Sequence, residues 1–131
     1  MKGLPQHVTL VFDGRCGFCT RSVRLLGTLD RSDRVRPVPY QRSGTAEEHG
    51  LSLAQCEAAI WAVTPGRDKC SGAAAINTTL SVALETRLPL WLYAAPGVGW
   101  LQERAYSLIA RNRRRLPGDT SYCRQHPEGC S

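Results

Sequence analysis

The chain contains no apolar run long enough to cross a bilayer. Its most hydrophobic stretch, residues 88–101, is interrupted by Pro89, Pro96, Gly97 and Gly99. A spanning helix needs roughly 20 predominantly apolar residues. Residues 1–7 are polar and contain Pro5, with no cationic segment leading into an apolar one, so they do not read as a secretory leader. Low-complexity blocks and internal repeats are also lacking, which excludes solenoids and repeat arrays. Aromatic residues make up 7% of the chain, and they do not alternate with basic residues as a base-stacking surface requires. The formal net charge of +6 permits contact with an anionic surface without demanding it, so nucleic acid is not an expected partner. Cysteine, in contrast, is plentiful at six residues, yet the cysteines are not spaced regularly through loops as in small disulfide-built secreted modules. A chain of 131 residues can bury a core without bridges. We therefore expect one domain over residues 1–131, cytoplasmic, away from membranes, with most thiols reduced. Oligomeric state is not readable from these features.

What the chain does have is Asp13-Gly14-Arg15-Cys16-Gly17-Phe18-Cys19, placed directly after the apolar run Val8-Thr9-Leu10-Val11-Phe12. An amphipathic helical pattern follows at once. Strand, tight turn, C-x-x-C and helix is the arrangement a redox dithiol needs. The first sulfur would sit at an open helix N-terminus, where unpaired N–H groups and the helix dipole favour a thiolate. The second would lie about one turn on, in reach of a mixed disulfide formed at the first.

The rest of the pattern places this motif in an α/β fold. Residues 8–12 read as a buried strand, ended by Asp13-Gly14. From 17 to 30, Cys19, Val23, Leu26 and Leu29 recur at helical spacing. Residues 35–40 read as a second strand, and Pro37 and Pro39 put it at an edge. A short helix begins at Thr45 with Glu48 three positions on, a capping-box pattern, and stops at Gly50. Strands are expected at 58–64 and 68–71, forming a hairpin across Pro65-Gly66. Two helices follow. The first covers 73–87, with Ile76, Leu80, Ala83 and Leu84 on one face. The second covers 99–116, with an inward stripe of Leu101, Ala105, Leu108, Ile109, Asn112 and Leu116. Pro117-Gly118 stops it, and residues 119–131 are a polar tail carrying Cys123 and Cys130. The order is β-α-β-α-β-β-α with an additional C-terminal helix.

These residues resemble the DCC family of predicted thiol–disulfide oxidoreductases. The similarity lies in Phe12-Asp13-Gly14-x-Cys16-x-x-Cys19, Ser22-Val23-Arg24 and Arg31. It continues in Val38-Pro39-Tyr40-Gln41 and Gly72-Ala73-x-Ala75-Ile76, then in Tyr106-x-x-x-Ala110-Arg111-Asn112-Arg113-x-Arg115-Leu116, with Cys123 beyond. The resemblance implies a thioredoxin-like fold and dithiol chemistry; separately, no cofactor is expected. Two departures stand beside it. Thioredoxin-like enzymes usually carry a cis-proline just before the third strand, and Leu51-Ser52-Leu53-Ala54-Gln55-Cys56-Glu57 has no proline. Position 74 is alanine where the family often has an acidic residue.

Cys16 is thus the expected nucleophile, with Arg15 and Arg21 nearby to favour its thiolate. Cys19 is the expected resolving thiol, half-buried on the apolar face. The competing reading makes Cys19 a core residue and Cys16 a stray surface thiol. Asp13 is either a proton relay for Cys19 or simply a strand terminator that accepts N–H groups in the turn. Arg15, Gly17 and Phe18 are expected to meet the substrate, a protein or small-molecule disulfide or thiol. Phe18 could equally be packing. The run Arg111-Asn112-Arg113-Arg114-Arg115 reads as a solvated face, with Asn112 bonding backbone; the alternative is that Arg111 or Arg113 packs back towards the sheet. Cys56 and Cys70 read as small core residues. Cys123 and Cys130, with His126 between them, could form a disulfide or a weak metal site, and Cys123 is the better candidate for a role near the dithiol. Two other functions remain open: a zinc module using Cys16 and Cys19 as half its ligands, and a non-enzymatic thioredoxin-like adaptor.

Overall fold

Residues Val8–Phe12 form β1, and all but Thr9 are buried, as a short β-branched run covered on both faces should be. The computed structural model describes residues 5–66, 68–113, 115, 116, 118 and 120–130. After β1 come α1 (Gly17–Leu29), β2 (Val35–Pro39), α2 (Thr45–Glu48), α3 (Leu53–Ala58), β3 (Trp61–Val63) and β4 (Lys69–Ser71). Then follow α4 (Gly72–Leu84), α5 (Leu88–Ala94), α6 (Val98–Asn112), α7 (Tyr122–Gln125) and a 3-10 turn at Pro127–Cys130. The sheet order is β2-β1-β3-β4. β1 pairs β2 in parallel with Val8 opposite Val35, and pairs β3 antiparallel with Leu10 opposite Ala62. β3 and β4 form the antiparallel hairpin.

Alternation along β1 divides the core in two. Val8, Leu10 and Phe12 pack with Val23 and Leu26 of α1 and with Ala75, Val82 and Ala83 of α4. Val11 faces the other way, onto Ala46, Leu51 and Cys56. The sheet therefore lies between α1 and α4 on one face and α2 and α3 on the other. The fold is mixed α/β with a four-stranded sheet, consistent with the thioredoxin-like plan, and β1 delivers its C-terminal end to the start of α1.

Several elements differ from the sequence reading. Residues 53–58 are helical, so β3 begins only at Trp61. The helix starts because Ser52 Oγ accepts from Gln55 N at 3.1 Å while Gln55 Oε1 accepts from Ser52 N at 2.8 Å, a complete capping box. The box expected at Thr45 does not form. Gly44 caps α2 with φ +83° and no side-chain bond, and Thr45 is buried within the helix. Residues 88–94, read only as a broken apolar stretch, form α5 with Pro89 in its first turn, where a missing N–H costs nothing. The tail folds back as α7. Leu29 is exposed, because α1 buries Thr20, Val23 and Leu26 instead.

The largest correction concerns α6. Its apolar stripe points outward, leaving Leu101, Leu108 and Ile109 exposed. Its polar residues point in because α4 has unmet donors there. Glu103 Oε1 accepts from Ala73 N at 2.9 Å, at the α4 N-terminus, and its other oxygen accepts from the Tyr93 hydroxyl. Gln102 Oε1 accepts from Asn77 Nδ2 at 2.6 Å, and Tyr106 OH accepts from Ile60 N at 2.8 Å. Leaving one such group unbonded costs about 1–3 kcal/mol when it is buried, the same order as the roughly 1.5–3 kcal/mol for burying one apolar side chain, and the inward polar face meets three of them at once. Asn112 does bond backbone, donating to Leu108 O at 2.8 Å, but on the exposed side of its own helix. Arg114, Pro117, Asp119 and Ser131, and with them the proposed Pro117 helix stop, lie outside the described residues.

Candidate active site

Cys16 occupies the N-cap of α1 with extended backbone, φ −91° and ψ 118°. That conformation turns its sulfur over the helix end, where Sγ accepts from Cys19 N at 3.2 Å. The turn delivering it is held by Cys16 N donating to Asp13 O at 3.2 Å. Cys16 is buried and Cys19 half-buried, and both are free thiols. Cys19 packs against the β1–α1–α4 core. Burial pushes its thiol up, to about 12, and its hydrogen bond with Cys16 and the charge there push the same way. The opposing influence is Arg113. Its Nη1 lies 3.5 Å from Cys19 Sγ, donating to it, and draws the thiol back down.

Arg113 also joins the pair to Asp13. Its Nη2 forms a 3.1 Å ion pair with Asp13 Oδ2 and donates to Glu57 O at 3.4 Å. Burial would lower the guanidinium's own proton affinity. The negative charge available at Cys19 and Asp13 outweighs that, and the net shift is upward. Asp13 Oδ1 accepts from Arg15 N at 3.0 Å and from Gln41 Nε2 at 2.7 Å. Gln41 Oε1 in turn accepts from Gly14 N at 2.9 Å. Asp13 thus ends the strand and orders the turn, and it faces Arg113, which stands next to Cys19.

The tail completes the wall. Cys123 N donates to Gly14 O at 2.8 Å, and Tyr122 N donates to Thr20 Oγ1 at 3.0 Å. Tyr122 also sets its ring edge-on to Phe12, 5.7 Å between centroids. Gly14 has no room for a Cβ, which would lie 2.7 Å from Pro39 Cβ and 2.8 Å from Cys123 Sγ. Cys123 is bridged to Cys130, so of its two expected forms the disulfide is the one found. The thiols expected to be reduced are thus four, with one bridge beside them. Cys56 is buried in the second core, and Cys70 packs on the first.

Two cavities meet at the dithiol. An open cleft of about 450 Å³ is lined by Asp13, Arg15, Cys16, Gly17, Phe18 and Arg113, among others. Gly118 lines it as well and has no room for a Cβ, which would collide with the Gly17–Phe18 peptide. A smaller, mostly apolar cavity of about 170 Å³ lies between α1 and α6 and includes Phe18, Cys19, Ile60, Tyr106, Ile109 and Arg113. The structure therefore brings together all six candidate site residues, Asp13, Arg15, Cys16, Gly17, Phe18 and Cys19. Arg21 is exposed and lines neither cavity. The cation that touches Cys19 is Arg113, one of the two arginines of the basic run left open to packing back towards the sheet. Gln41 was visible only as part of a motif, with nothing to say that it holds Asp13.

The zinc reading needs two further donors beside Cys16 and Cys19. Among the described residues, no three or more His, Cys, Asp or Glu side chains come together as a metal site would require. Nor is any helix among the described residues long and apolar enough to cross a membrane. No curated protein and no solved structure matches the chain. A family model does, over residues 10–119, from the middle of β1 to just short of α7, and its description, DCC1-like thiol-disulfide oxidoreductase, is the chemistry that paired thiols at a helix N-terminus support. The match covers most of the chain and contains both sulfurs, Asp13 and Arg113, and the chain belongs to the DCC1-like thiol-disulfide oxidoreductase family.

Proposed function

We propose that the protein exchanges the Cys16–Cys19 dithiol with the disulfide of a partner. The observation that carries this reading is the pairing of Cys16 Sγ, bonded by Cys19 N at the helix N-terminus, with a Cys19 sulfur bonded by Arg113. Cys16, as thiolate, attacks one sulfur of the partner disulfide. The partner S–S bond breaks, a Cys16–partner disulfide forms, and the first partner sulfur leaves as thiolate. Cys19 then gives up its proton and attacks Cys16 Sγ. A Cys16–Cys19 disulfide forms, and the second partner sulfur leaves. Two electrons have passed from the dithiol to the partner, and a thiol reductant returns them in the next cycle. With the opposite balance of potentials, the same steps run backwards and oxidise a partner dithiol.

The environment of Cys19 gives these steps an order. At rest, the free Cys16 thiol adds to burial in holding the Cys19 proton. Once Cys16 is tied up in the mixed disulfide, that contribution disappears and the pull of Arg113 remains. Cys19 is thereby released for attack at the step that needs it. Asp13 holds Arg113 in place, and its carboxylate, on the cavity that Cys19 also lines, is the acceptor we assign to the departing proton. Phe18, Gly17 and Arg15 border the approach to Cys16, where the partner enters. Four free cysteines of six fit a cytoplasmic setting, with the Cys123–Cys130 bridge as the one link that a reducing compartment would attack.

A Cys19→Ser variant incubated with a disulfide substrate is expected to accumulate a mixed disulfide at Cys16, seen by mass spectrometry, and Cys16→Ser is expected to form none. Adduct at another cysteine, or activity surviving Cys16→Ser, overturns the reading. A flat result in every exchange assay with both thiols accessible would favour an adaptor.

A further inference from the structure

α6 buries its polar side and presents its apolar side to solvent. Trp100, Leu101, Leu108 and Ile109 are 66%, 62%, 57% and 44% exposed. Their spacing puts them along one face of the helix. α5 adds Leu88, Trp91 and Leu92, also exposed. Single exposed apolar residues are ordinary, but a contiguous set of this size marks a surface that meets something.

Two observations say what it meets. First, the stripe leads to the dithiol. Ile109 lines the cavity that also holds Cys19, Phe18 and Arg113, so an occupant of the stripe would end beside the reacting sulfurs. Second, the charge on this face has one sign. The one acidic residue of α6, Glu103, is turned inward onto α4. Arg104 and Arg111 are exposed along the helix, with Arg104 5.5 Å from the Trp100 ring centre. Arg115 continues the series past the helix end and is exposed as well.

We propose that the outward face of α6 docks the protein substrate itself, binding an apolar segment flanked by acidic residues that carries its disulfide to Cys16. The proposal rests on the dithiol reading above and deepens it: it selects protein disulfides over small-molecule ones. It also offers a means of holding a partner in a chain whose residues 51–57 contain no proline, the described peptide bonds being all trans. Extended apolar contact along α6 would supply affinity, and the arginines would supply orientation and encounter rate.

The test compares three probes. The first is a short peptide with leucine and phenylalanine around one cysteine and glutamates at its ends, the cysteine blocked as a mixed disulfide with thionitrobenzoate. The second is the same peptide rebuilt from glycine and serine. The third is bis(2-hydroxyethyl) disulfide. The wild-type protein is expected to favour the apolar acidic peptide over the glycine–serine one by about tenfold or more in kcat/KM. Leu108→Glu and Leu101→Glu, made at exposed positions and checked for unchanged melting temperature, are expected to erase that preference. The rate on the third probe should stay within about twofold. Equal rates on the two peptides, or a loss in the variants on all three probes, overturns the docking. If the wild-type protein reduces none of the probes, the dithiol reading fails by itself. Docking is then decided by binding of the apolar acidic peptide with serine in place of cysteine, followed by tryptophan fluorescence. Binding lost in Leu108→Glu sustains it, and no binding overturns it. Dimerisation, or adsorption to anionic lipid vesicles, abolished by Leu108→Glu without any peptide preference would assign the face to a second copy or a membrane and overturn it as well.

Discussion

Removing the Arg113 guanidinium leaves the half-buried Cys19 sulfur with burial and Cys16 holding its proton and, among the described residues, without the cation that draws it down. In Arg113→Met the Cys19 proton is held more tightly, so fewer molecules carry the attacking thiolate at neutral pH. One pKa unit is a tenfold change in thiolate fraction. Resolution of the mixed disulfide is expected to slow by about tenfold near pH 7. Its rise with pH moves to higher pH, and Arg113→Lys recovers part of both. Rapid-mixing measurement of the second thiolate released, across pH, is the check, and an unchanged pH profile would assign Arg113 to packing alone. The same thiol predicts a stability effect. Cys19 holds its proton to about 12 in the folded dithiol and to 9.0 as an ordinary thiol. Above the lower value the unfolded chain sheds a proton that the folded chain still binds, so stability is full below about pH 9 and falls as pH rises towards about 12. Urea unfolding under reducing conditions is expected to show this extra alkaline loss in the wild type and not in Cys19→Ser. Parallel curves would mean that Cys19 carries no such burden.

At the scale of elements, Glu103 is the joint between α4, α5 and α6. One carboxylate oxygen meets the N-terminus of α4 at Ala73, and the other meets Tyr93 of α5. A carboxylate there replaces a missing cap, since Ser71 makes no side-chain cap bond. Glu103→Ala should cost about 2 kcal/mol in denaturant unfolding, more than the ~1 kcal/mol expected for Ser52→Ala, where only the small α3 loses its box. Gly72 depends on the same joint: at φ +66°, a Cβ there would also lie 2.7 Å from the Glu103 carboxylate. This joint explains what could and could not be read in advance. β1, the turn and α1 were legible because a short apolar run, Asp13-Gly14 and a helical repeat are local signals. α3 also carries a local signal, Ser52-x-x-Gln55, within the stretch that lacks a proline. The period of α6 was legible and its direction was not. Which face turns inward is decided by donors on Ala73, Asn77 and Ile60, 25 to 46 residues away in the chain. The choice between Arg111 and Arg113 was open for the same reason, since the partners of Arg113, Cys19 and Asp13, lie at the other end of the sequence.

For the whole molecule, the chain's end is tied to its beginning. Cys123 bonds the Gly14 carbonyl, Tyr122 bonds Thr20, and the Cys123–Cys130 bridge, with a separation of seven, keeps α7 and the following turn as one small block. Closing so short a loop restrains the unfolded chain modestly, so Cys130→Ser is expected to lower unfolding free energy by roughly 2 kcal/mol, read from urea transitions of oxidised protein. Unchanged stability would mean that the bridge only decorates the tail. The sheet has a consequence of its own. Its two rims are β2, which carries Pro37 and Pro39, and β4, which is three residues long. A proline offers no N–H to an incoming strand, and three residues give little ladder to extend. Neither rim is suited to recruiting a strand from another polypeptide, whether a misfolded neighbour or an extended client. Partners are left to approach through side-chain surfaces on the helices, and the sheet is protected from growing into an aggregate.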